Sequence, residues 1–341
     1  DLTFMKNGEQ FVWTSEKSGF NHIYLYDMKG NEVKVLTSGE YDVTRFYGLD
    51  EERNMIFYQA AKTSPLERQV YALDLKKGKE RLLTKGKGQH SAQFSSTFDY
   101  FVNNHSAANM PFEFTVKDHK GKAVRTIEDN SGLVKTLEKY EISYPEFMTI
   151  PTKDAELNAW MIKPANFDKN KQYPVLMYVY GGPGSQTVAD RWLGTNFFWY
   201  QHLASQGYIV VSVDNRGTGA RGQEFKKMTY LELGKYETID QIEAAKYLGS
   251  QSYIDASRIG IFGWSYGGYM SSLCLFKGND YFKTAIAVAP VTNWKWYDSI
   301  YTERYMRTRK ENEKGYEQNS PINFVNLYNK GSYLLVHGVA D

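Results

Sequence analysis

A serine flanked by glycines lies between two apolar stretches of this sequence. Residues 263–268 read GWSYGG, so Ser265 is at the centre of a G-x-S-x-G pattern. The preceding RIGIF is typical of a β-strand, and the following YMSSLCLF is typical of a helix. A sharp strand–turn–helix corner holds a nucleophilic serine clear of a sheet and turns the next amide, that of Tyr266, toward an oxyanion. The alternative is a structural glycine turn with an incidental serine.

A nucleophilic serine needs a base to accept its proton and an acid to orient that base. Asp341 is the candidate acid, because it follows the apolar strand SYLLV. Of the six histidines only His337 follows Ser265, and it precedes Asp341, whereas α/β-hydrolases use the order Ser, acid, His. We therefore expect the catalytic histidine to lie beyond this sequence. We expect His337 to pack or hydrogen-bond beneath the acid loop.

The elements around the motif predict a mostly parallel sheet. From about residue 146, strands alternate with helical stretches, as in YPVLMYVYGGPG (173–184) and GYIVVSVDNRGTG (207–219). Residues 238–254 have apolar side chains at helical spacing, which predicts an amphipathic helix. Each strand runs into a loop that carries glycine, aspartate or an aromatic residue, where open α/β sheets place their sites. We predict an α/β-hydrolase catalytic domain over 146–341, truncated before the catalytic histidine.

Residues 1–145 have a different pattern, with short alternating strands and a repeat. IYLYDMKGNEVKVLT (23–37) is echoed at 70–84 and again at 113–128, and each copy has an aspartate followed by a glycine turn. These aspartates are Asp27, Asp74 and Asp118. A period of about 45 residues with about four strands per unit is typical of β-propeller blades. We predict a partial β-propeller of about three blades, cut from a longer chain.

Composition narrows the classes of function. The 341 residues carry a net charge of +2, which does not favour nucleic acid or an anionic membrane surface as a partner. No stretch approaches the roughly 20 apolar residues of a membrane-spanning helix. Cys274 is the only cysteine, which excludes an internal disulfide, and we expect it to be buried and inert. No spacing such as H-E-x-x-H indicates a metal, so we predict no metal and no other cofactor.

These motifs together resemble the prolyl oligopeptidase family of serine peptidases. GWSYGGY, VAPVTNWKWYDSIYTERYM, LLVHGVAD, YVYGGPGSQ and DNRGTG carry the resemblance, which covers almost the whole chain. Within the family, the sequence is most similar to the propeller-capped members that remove N-terminal dipeptides after proline or alanine. The resemblance implies a serine exopeptidase that acts through an acyl-enzyme on peptides with Pro or Ala at the penultimate position. It also allows a homodimer and favours a bacterial periplasmic or cell-surface location.

The resemblance also assigns roles to residues. It makes Ser265 the nucleophile and Asp341 the triad acid, and it implies an oxyanion hole formed by the Tyr180 hydroxyl and the Tyr266 amide. Without it, Tyr180 is equally an ordinary tyrosine at the end of a strand. A set of apolar side chains is expected to form a flat-walled pocket for a proline ring: Tyr266, Val291, Trp294, Tyr297 and Tyr301. The last three are spaced as one face of a helix, and taken alone such a stripe is also consistent with core packing.

Other functions remain open at this point. The same fold also serves tripeptidyl peptidases, acylaminoacyl peptidases and esterases. The glutamate pair with which the family captures a free α-amine is not found here, since Glu51-Glu52 lies in a turn typical of solvated surface. A non-catalytic binding or interaction module is the alternative from another class. Because no catalytic histidine is found, we expect the isolated 341 residues to be inactive.

Overall fold

The computed structural model describes residues 2–6 and 8–339, which form two compact units. The first contains the residues up to 140 together with 189–194 and 220–224. The second contains 141–188, 195–219 and the residues from 225 onward. None of the helices in the described part of the chain combines the length and apolar character that a membrane crossing requires. The domain boundary at 145/146 stays a prediction.

The first unit contains three four-stranded antiparallel sheets whose strands follow the order of the chain. The strands are β1 (Leu2–Phe4), β2 (Gln10–Ser15), β3 (His22–Asp27) and β4 (Glu32–Val35); β5 (Val43–Asp50), β6 (Met55–Ala60), β7 (Gln69–Asp74) and β8 (Glu80–Leu82); and β9 (Gln89–Phe94), β10 (Tyr100–Ala107), β11 (Met110–Asp118) and β12 (Ala123–Glu128). A short helix, α1 (Ser131–Leu137), follows. Each sheet has the strand arrangement of a propeller blade.

The repeated aspartate has the same structural position in all three sheets. Asp27, Asp74 and Asp118 are the last residues of β3, β7 and β11. Each carboxylate accepts hydrogen bonds from two backbone N–H groups of the turn that follows. This is the aspartate-stabilised turn that a short polar side chain forms with its own backbone. The repeat in the sequence is therefore a repeat of the hairpin between the third and fourth strands.

The second unit is built on a seven-stranded sheet in the order β13-β14-β16-β15-β17-β18-β19. The strands are β13 (Glu146–Pro151), β14 (Glu156–Ile162), β15 (Tyr173–Tyr178), β16 (Ile209–Asp214), β17 (Ile254–Trp264), β18 (Thr284–Val288) and β19 (Ser332–Val336). The pairs β13/β14 and β14/β16 are antiparallel, and the five strands from β16 to β19 run parallel. The carboxyl ends of these five strands therefore meet at one edge, where the loops that follow them gather.

Helices lie between the strands along the chain. They are α2 (Thr195–Ser205), α3 (Gly222–Lys227), α4 (Lys235–Gly249), α5 (Tyr266–Lys277), α6 (Ser299–Met306) and α7 (Glu313–Gln318), with 3₁₀ turns at Trp294–Trp296 and Pro321–Leu327. Helices α2, α4 and α5 pack on the sheet. The core of the unit lies between β15–β18 and helices α4 and α5. Every residue of α5 except Lys277 is buried, including Cys274, as predicted.

Helix α4 begins earlier than predicted, and its buried face differs from the apolar stripe in the sequence. Ala245 and Leu248 are fully buried, but Ile239 is 41% exposed. The buried first half of the helix instead carries polar side chains, among them Glu237 and Asp240. Because a carboxyl group is buried only when it is hydrogen-bonded or paired, these positions point to specific partners.

Candidate active site

Ser265 is the single residue between a strand and a helix. Trp264 ends β17 and Tyr266 begins α5. Its backbone has φ 56° and ψ −117°, a conformation that favours glycine and is strained for other residues. The Ser265 N–H donates to the Val288 carbonyl at 2.8 Å, and the Ser265 carbonyl accepts from the Tyr269 N–H at 3.0 Å. The strand–turn–helix corner predicted from the motif is present.

The flanking glycines are required by the closeness of neighbouring backbones. A Cβ on Gly263 would lie 2.4 Å from the carbonyl oxygen of Gly267. A Cβ on Gly267 would lie 2.1 Å from the Val179 carbonyl oxygen. Both distances are far inside van der Waals contact, so the corner closes against the loop after β15 only with glycine at these positions.

Tyr266 is held at both ends. As the first residue of α5 it has a backbone N–H without a partner inside the helix, and such a group favours a developing negative charge. Its ring is 2% exposed, and its hydroxyl donates to Glu237 Oε1 at 2.6 Å. Burial raises the pKa of the Tyr266 phenol well above its usual value and raises the pKa of Glu237 to about 7. Glu237 was not singled out in the sequence, because nothing in YETIDQ distinguishes it from a surface acid.

Tyr180 lies beside this corner. It follows β15 by two residues, and its ring centroid is 6.1 Å from that of Tyr266. Partial burial raises the pKa of the Tyr180 phenol, so the hydroxyl keeps its proton and can donate it in a hydrogen bond. The loop that carries Tyr180 is fixed by the loop after β16, since the Gly184 N–H donates to the Gly217 carbonyl at 2.8 Å and the Asn215 amide donates to the Gly181 carbonyl at 3.0 Å.

A buried ion pair anchors that second loop. Both Asp240 oxygens accept from Arg216, with the shortest contact at 2.6 Å, and Asp240 also accepts from the Arg216 backbone N–H at 2.8 Å. The exposures of the two side chains are 6% and 0%. Helix α4 therefore holds the DNRGTG loop through Asp240 and contacts the serine corner through Glu237.

The aromatic segment after β18 is not the single helix that its spacing predicts. Trp294 lies in a 3₁₀ turn, Tyr297 is extended, and Tyr301 lies in α6. The break has a local cause, because the Asp298 side chain caps α6 by accepting from the Tyr301 N–H at 2.8 Å. The three rings nevertheless meet, with centroids 5.4 to 6.0 Å apart, and Trp294 lies 5.8 Å from the Tyr266 ring.

A cavity of about 390 Å³ opens beside the serine. Ser265, Val291, Tyr297 and His337 are among the residues that line it. Trp294 is 1% exposed and lies behind Tyr297. His337 is exposed instead of being packed beneath a loop, and its Nδ1 lies 3.0 Å from the Gly338 carbonyl. Asp341, the candidate acid, lies outside the described residues.

Two different family models match the two parts of the chain, one in the region of the four-stranded sheets and one in the region of the seven-stranded sheet. Residues 195–341 match the model of the prolyl oligopeptidase family, and residues 1–112 match the model of the dipeptidyl peptidase IV N-terminal region. The chain is 38% identical to "Probable dipeptidyl-aminopeptidase B" of Coccidioides posadasii and 34% identical to "Probable dipeptidyl peptidase 4" of Aspergillus flavus. These alignments cover 98% and 97% of the chain, but only 38% and 44% of the two relatives.

A solved structure extends the likeness to three dimensions. The crystal structure of Porphyromonas gingivalis dipeptidyl peptidase 4 superposes with a TM-score of 0.94 at 48% sequence identity. The match covers 99% of this chain and 47% of that one, so the chain spans less than half of that protein. The predicted fold class, an α/β hydrolase preceded by a partial β-propeller, is confirmed.

Proposed function

Because the chain belongs to the prolyl oligopeptidase family, we propose that it is part of a serine exopeptidase that releases N-terminal dipeptides after proline or alanine. The observation that carries the proposal is the corner at Ser265. A serine held between β17 and α5, beside Tyr180 and a buried aromatic cluster, is what acyl transfer to a hydroxyl requires.

In the proposed mechanism Ser265 attacks the carbonyl of the penultimate residue and loses its proton to a histidine that Asp341 orients. The tetrahedral oxyanion accepts hydrogen bonds from the Tyr180 hydroxyl and the Tyr266 N–H. The histidine then gives the proton to the departing amine of the remaining peptide, and an acyl-enzyme is left on Ser265. A water molecule, deprotonated by the same histidine, attacks the acyl-enzyme and releases the dipeptide, and the histidine returns the proton to Ser265. Both oxyanion donors are neutral, so they stabilise charge only as it develops.

The proposed specificity rests on the rings around the corner. Val291 and Tyr297 line the cavity with Ser265, and Tyr266, Trp294 and Tyr301 support them from behind. A proline or alanine side chain buries its apolar area there without needing a charge or a hydrogen bond. A charged side chain would lose its hydration against such walls without gaining a partner.

His337 is proposed not to be the base, although it lines the same cavity. The hydrolase order places the base after the acid, and His337 precedes Asp341. Replacing a triad histidine removes catalysis by a factor of about 10³ or more. His337→Gln should instead lower kcat/KM by less than about tenfold, and a loss of the larger size would identify His337 as the base. We also propose that the 341 residues alone turn over little substrate.

The test is hydrolysis of a Gly-Pro anilide by the protein at its full natural length. Ser265→Ala should reduce kcat by at least about 10³, and Tyr180→Phe by about 10² to 10³ with little change in KM. Tripeptide and N-blocked anilides are assayed in parallel, because faster turnover of either would identify a tripeptidyl or acylaminoacyl peptidase. Hydrolysis that is indifferent to Ser265→Ala would overturn the proposal, as would a protein that no fluorophosphonate labels.

A further inference from the structure

Glu237 is a fully buried carboxyl group that faces the serine corner from helix α4. Its two oxygens have different partners: Oε1 accepts from the Tyr266 hydroxyl at 2.6 Å, and Oε2 accepts from the Gly234 N–H at 3.0 Å. The first distance is that of a charge-assisted hydrogen bond. Neither partner is charged, and the backbone N–H of Glu237 itself is a third neutral donor to the carboxyl group.

The first of these partners matters for the chemistry of the site. The backbone of Tyr266 carries the proposed oxyanion donor, and its ring packs 5.1 Å from Tyr269, 5.8 Å from Trp294 and 6.1 Å from Tyr180. Fixing the far end of this ring fixes the tilt of the wall behind the pocket. It also limits rotation of the residue that supplies the N–H.

We propose that Glu237 is a positioning residue of this active site, which acts through the Tyr266 hydroxyl and is effective when the carboxyl group is ionised. The inference rests on the proposed function, since it assigns a role toward Ser265 and its oxyanion hole. A carboxylate accepts from both donors at once. A protonated carboxyl group must instead donate through one oxygen, which turns the Tyr266 hydroxyl or weakens the contact with Gly234.

The surroundings of Glu237 set the pH at which its carboxyl group changes from the protonated to the ionised form. Burial raises its pKa to about 7, and the hydrogen bonds from Tyr266, from the Gly234 N–H and from its own backbone N–H oppose that rise. The titratable groups that interact with it are Asp240 on α4, Tyr266, Tyr269 and Cys274 on α5, and Tyr301 on α6. Burial raises the pKa of these phenols and of the thiol, so they stay neutral, and Asp240 is paired with Arg216. Burial raises the pKa of Asp240 as well, but the hydrogen bonds and charge of Arg216 oppose that rise, whereas the hydrogen-bond donors to Glu237 are neutral. We therefore expect Glu237 to be the group of this set that changes charge near neutral pH.

A role limited to capping α4 is the competing explanation. The Oε2 contact with the Gly234 N–H closes the first turn of the helix, and any capping side chain does the same. The two explanations differ at Tyr266. Tyr266→Phe leaves the cap intact and keeps the ring, but it removes the hydroxyl through which the proposed effect passes.

The experiment compares wild type, Glu237→Gln, Tyr266→Phe and the double variant, in the protein at full length. Glu243→Gln is the matched control, because Glu243 lies on the same helix with a side chain 34% exposed and with Lys246 as its partner. Two readouts are taken from pH 5.5 to 8.5: the rate of fluorophosphonate labelling at Ser265, and kcat and KM for the Gly-Pro anilide. Thermal unfolding checks that each variant is folded.

The wild type should exceed Glu237→Gln in kcat/KM and in labelling rate by about tenfold at pH 8.5, the effect of one hydrogen bond to a charged group. The ratio should fall to about one at pH 5.5, where Glu237 is protonated in the wild type. Tyr266→Phe should show the same pH-dependent ratio, and the double variant should be no slower than either single one. Glu243→Gln should match wild type throughout.

A ratio that does not change with pH, or single effects that multiply in the double variant, would overturn the inference. If Glu237→Gln does not fold, Tyr266→Phe decides by the same criterion. Labelling separates this inference from the proposed function, because a protein that labels but does not cleave the anilide still tests Glu237 through its labelling rate. A wild type that does not label at Ser265 overturns both.

Discussion

The acidic side chains singled out in the two units lie in different environments. In the blades, each strand pairs with the next along the chain, and the repeated aspartates lie in surface turns where their partners are two to four residues away. In the seven-stranded sheet, β15 pairs with β16 and β17, and the buried acids Glu237 and Asp240 bind partners more than twenty residues away. We therefore expect single substitutions in the blade turns to cost little stability. Substitutions at the hydrogen bonds between distant residues around the serine corner should cost more.

The largest difference in stability loss between the two units is expected for glycine-to-alanine substitutions. Gly267→Ala should destabilise the second unit by more than about 4 kcal/mol, because the added methyl group would overlap the Val179 carbonyl. Gly30→Ala, in a blade turn with φ 83° and open space around it, should cost about 1 kcal/mol from backbone strain alone. Calorimetry of both variants measures this, and similar losses at the two sites would contradict the comparison.

The next largest difference in stability loss is expected when an ion pair is broken in each unit. Asp240→Asn should cost about 3–5 kcal/mol, because it leaves the buried Arg216 with only Asp154, which is 4.0 Å away and half exposed, as a counter-charge. Glu32→Gln in the first blade breaks a contact with Lys17 in which the two side chains are 36% and 44% exposed, and it should destabilise the protein far less than Asp240→Asn because solvent screens the pair. Denaturant unfolding of the two variants, with added salt as a control on the exposed pair, gives the values. A loss for Glu32→Gln as large as that for Asp240→Asn would contradict this difference between the exposed and the buried pair.

Glu237 makes the second unit sensitive to alkaline pH. Its pKa is raised by burial from 4.5 to about 7, so the folded state favours the neutral acid. The stability that this provides is complete below about pH 4.5 and is lost as the pH rises through 7. The free energy of unfolding of wild type relative to Glu237→Gln should therefore fall by up to about 3 kcal/mol over that window. An unchanged difference between pH 4.5 and 8 would contradict the burial of this acid.

His90 makes the stability of the first unit sensitive to acidic pH. Burial, together with the stacked ring of His105 at 3.8 Å, lowers the pKa of His90 from 6.5 to about 4. The resulting stability is complete above about pH 6.5 and is lost as the pH falls through 4. Wild type should lose up to about 3 kcal/mol relative to His90→Gln over that window. If both units lose stability in the same direction of pH, Glu237 and His90 do not have opposite effects on the two units.

The sequence predicts those features whose determinants are adjacent in the chain. The corner at Ser265, the blade turns at Asp27, Asp74 and Asp118, and the burial of Cys274 each follow from a short run of residues. The aromatic segment was predicted to gather near the serine, and its rings do meet. Its continuous helix is wrong, because the Asp298 cap starts a new helix where spacing alone predicts none.

Features that depend on distant partners could not be predicted in this way. Glu237 and Asp240 look like the exposed acids of an amphipathic helix, and only the fold brings Tyr266 and Arg216 to them. The face of α4 is misjudged for the same reason, since Ile239 is exposed while two acids are buried. The roles of Ser265, Tyr180 and the pocket residues, and that of Asp341, stay predictions.

The backbone of Ser265 has a consequence for how this protein can change. Its φ of 56° costs any residue other than glycine about 1–3 kcal/mol, which the surrounding strand and helix must supply. Ser265→Gly would relieve that cost and should therefore give a more stable protein without a nucleophile. Selection for thermal resistance and selection for turnover consequently oppose each other at this one position. Relatives of the fold that have lost the chemistry are expected to drift toward glycine there.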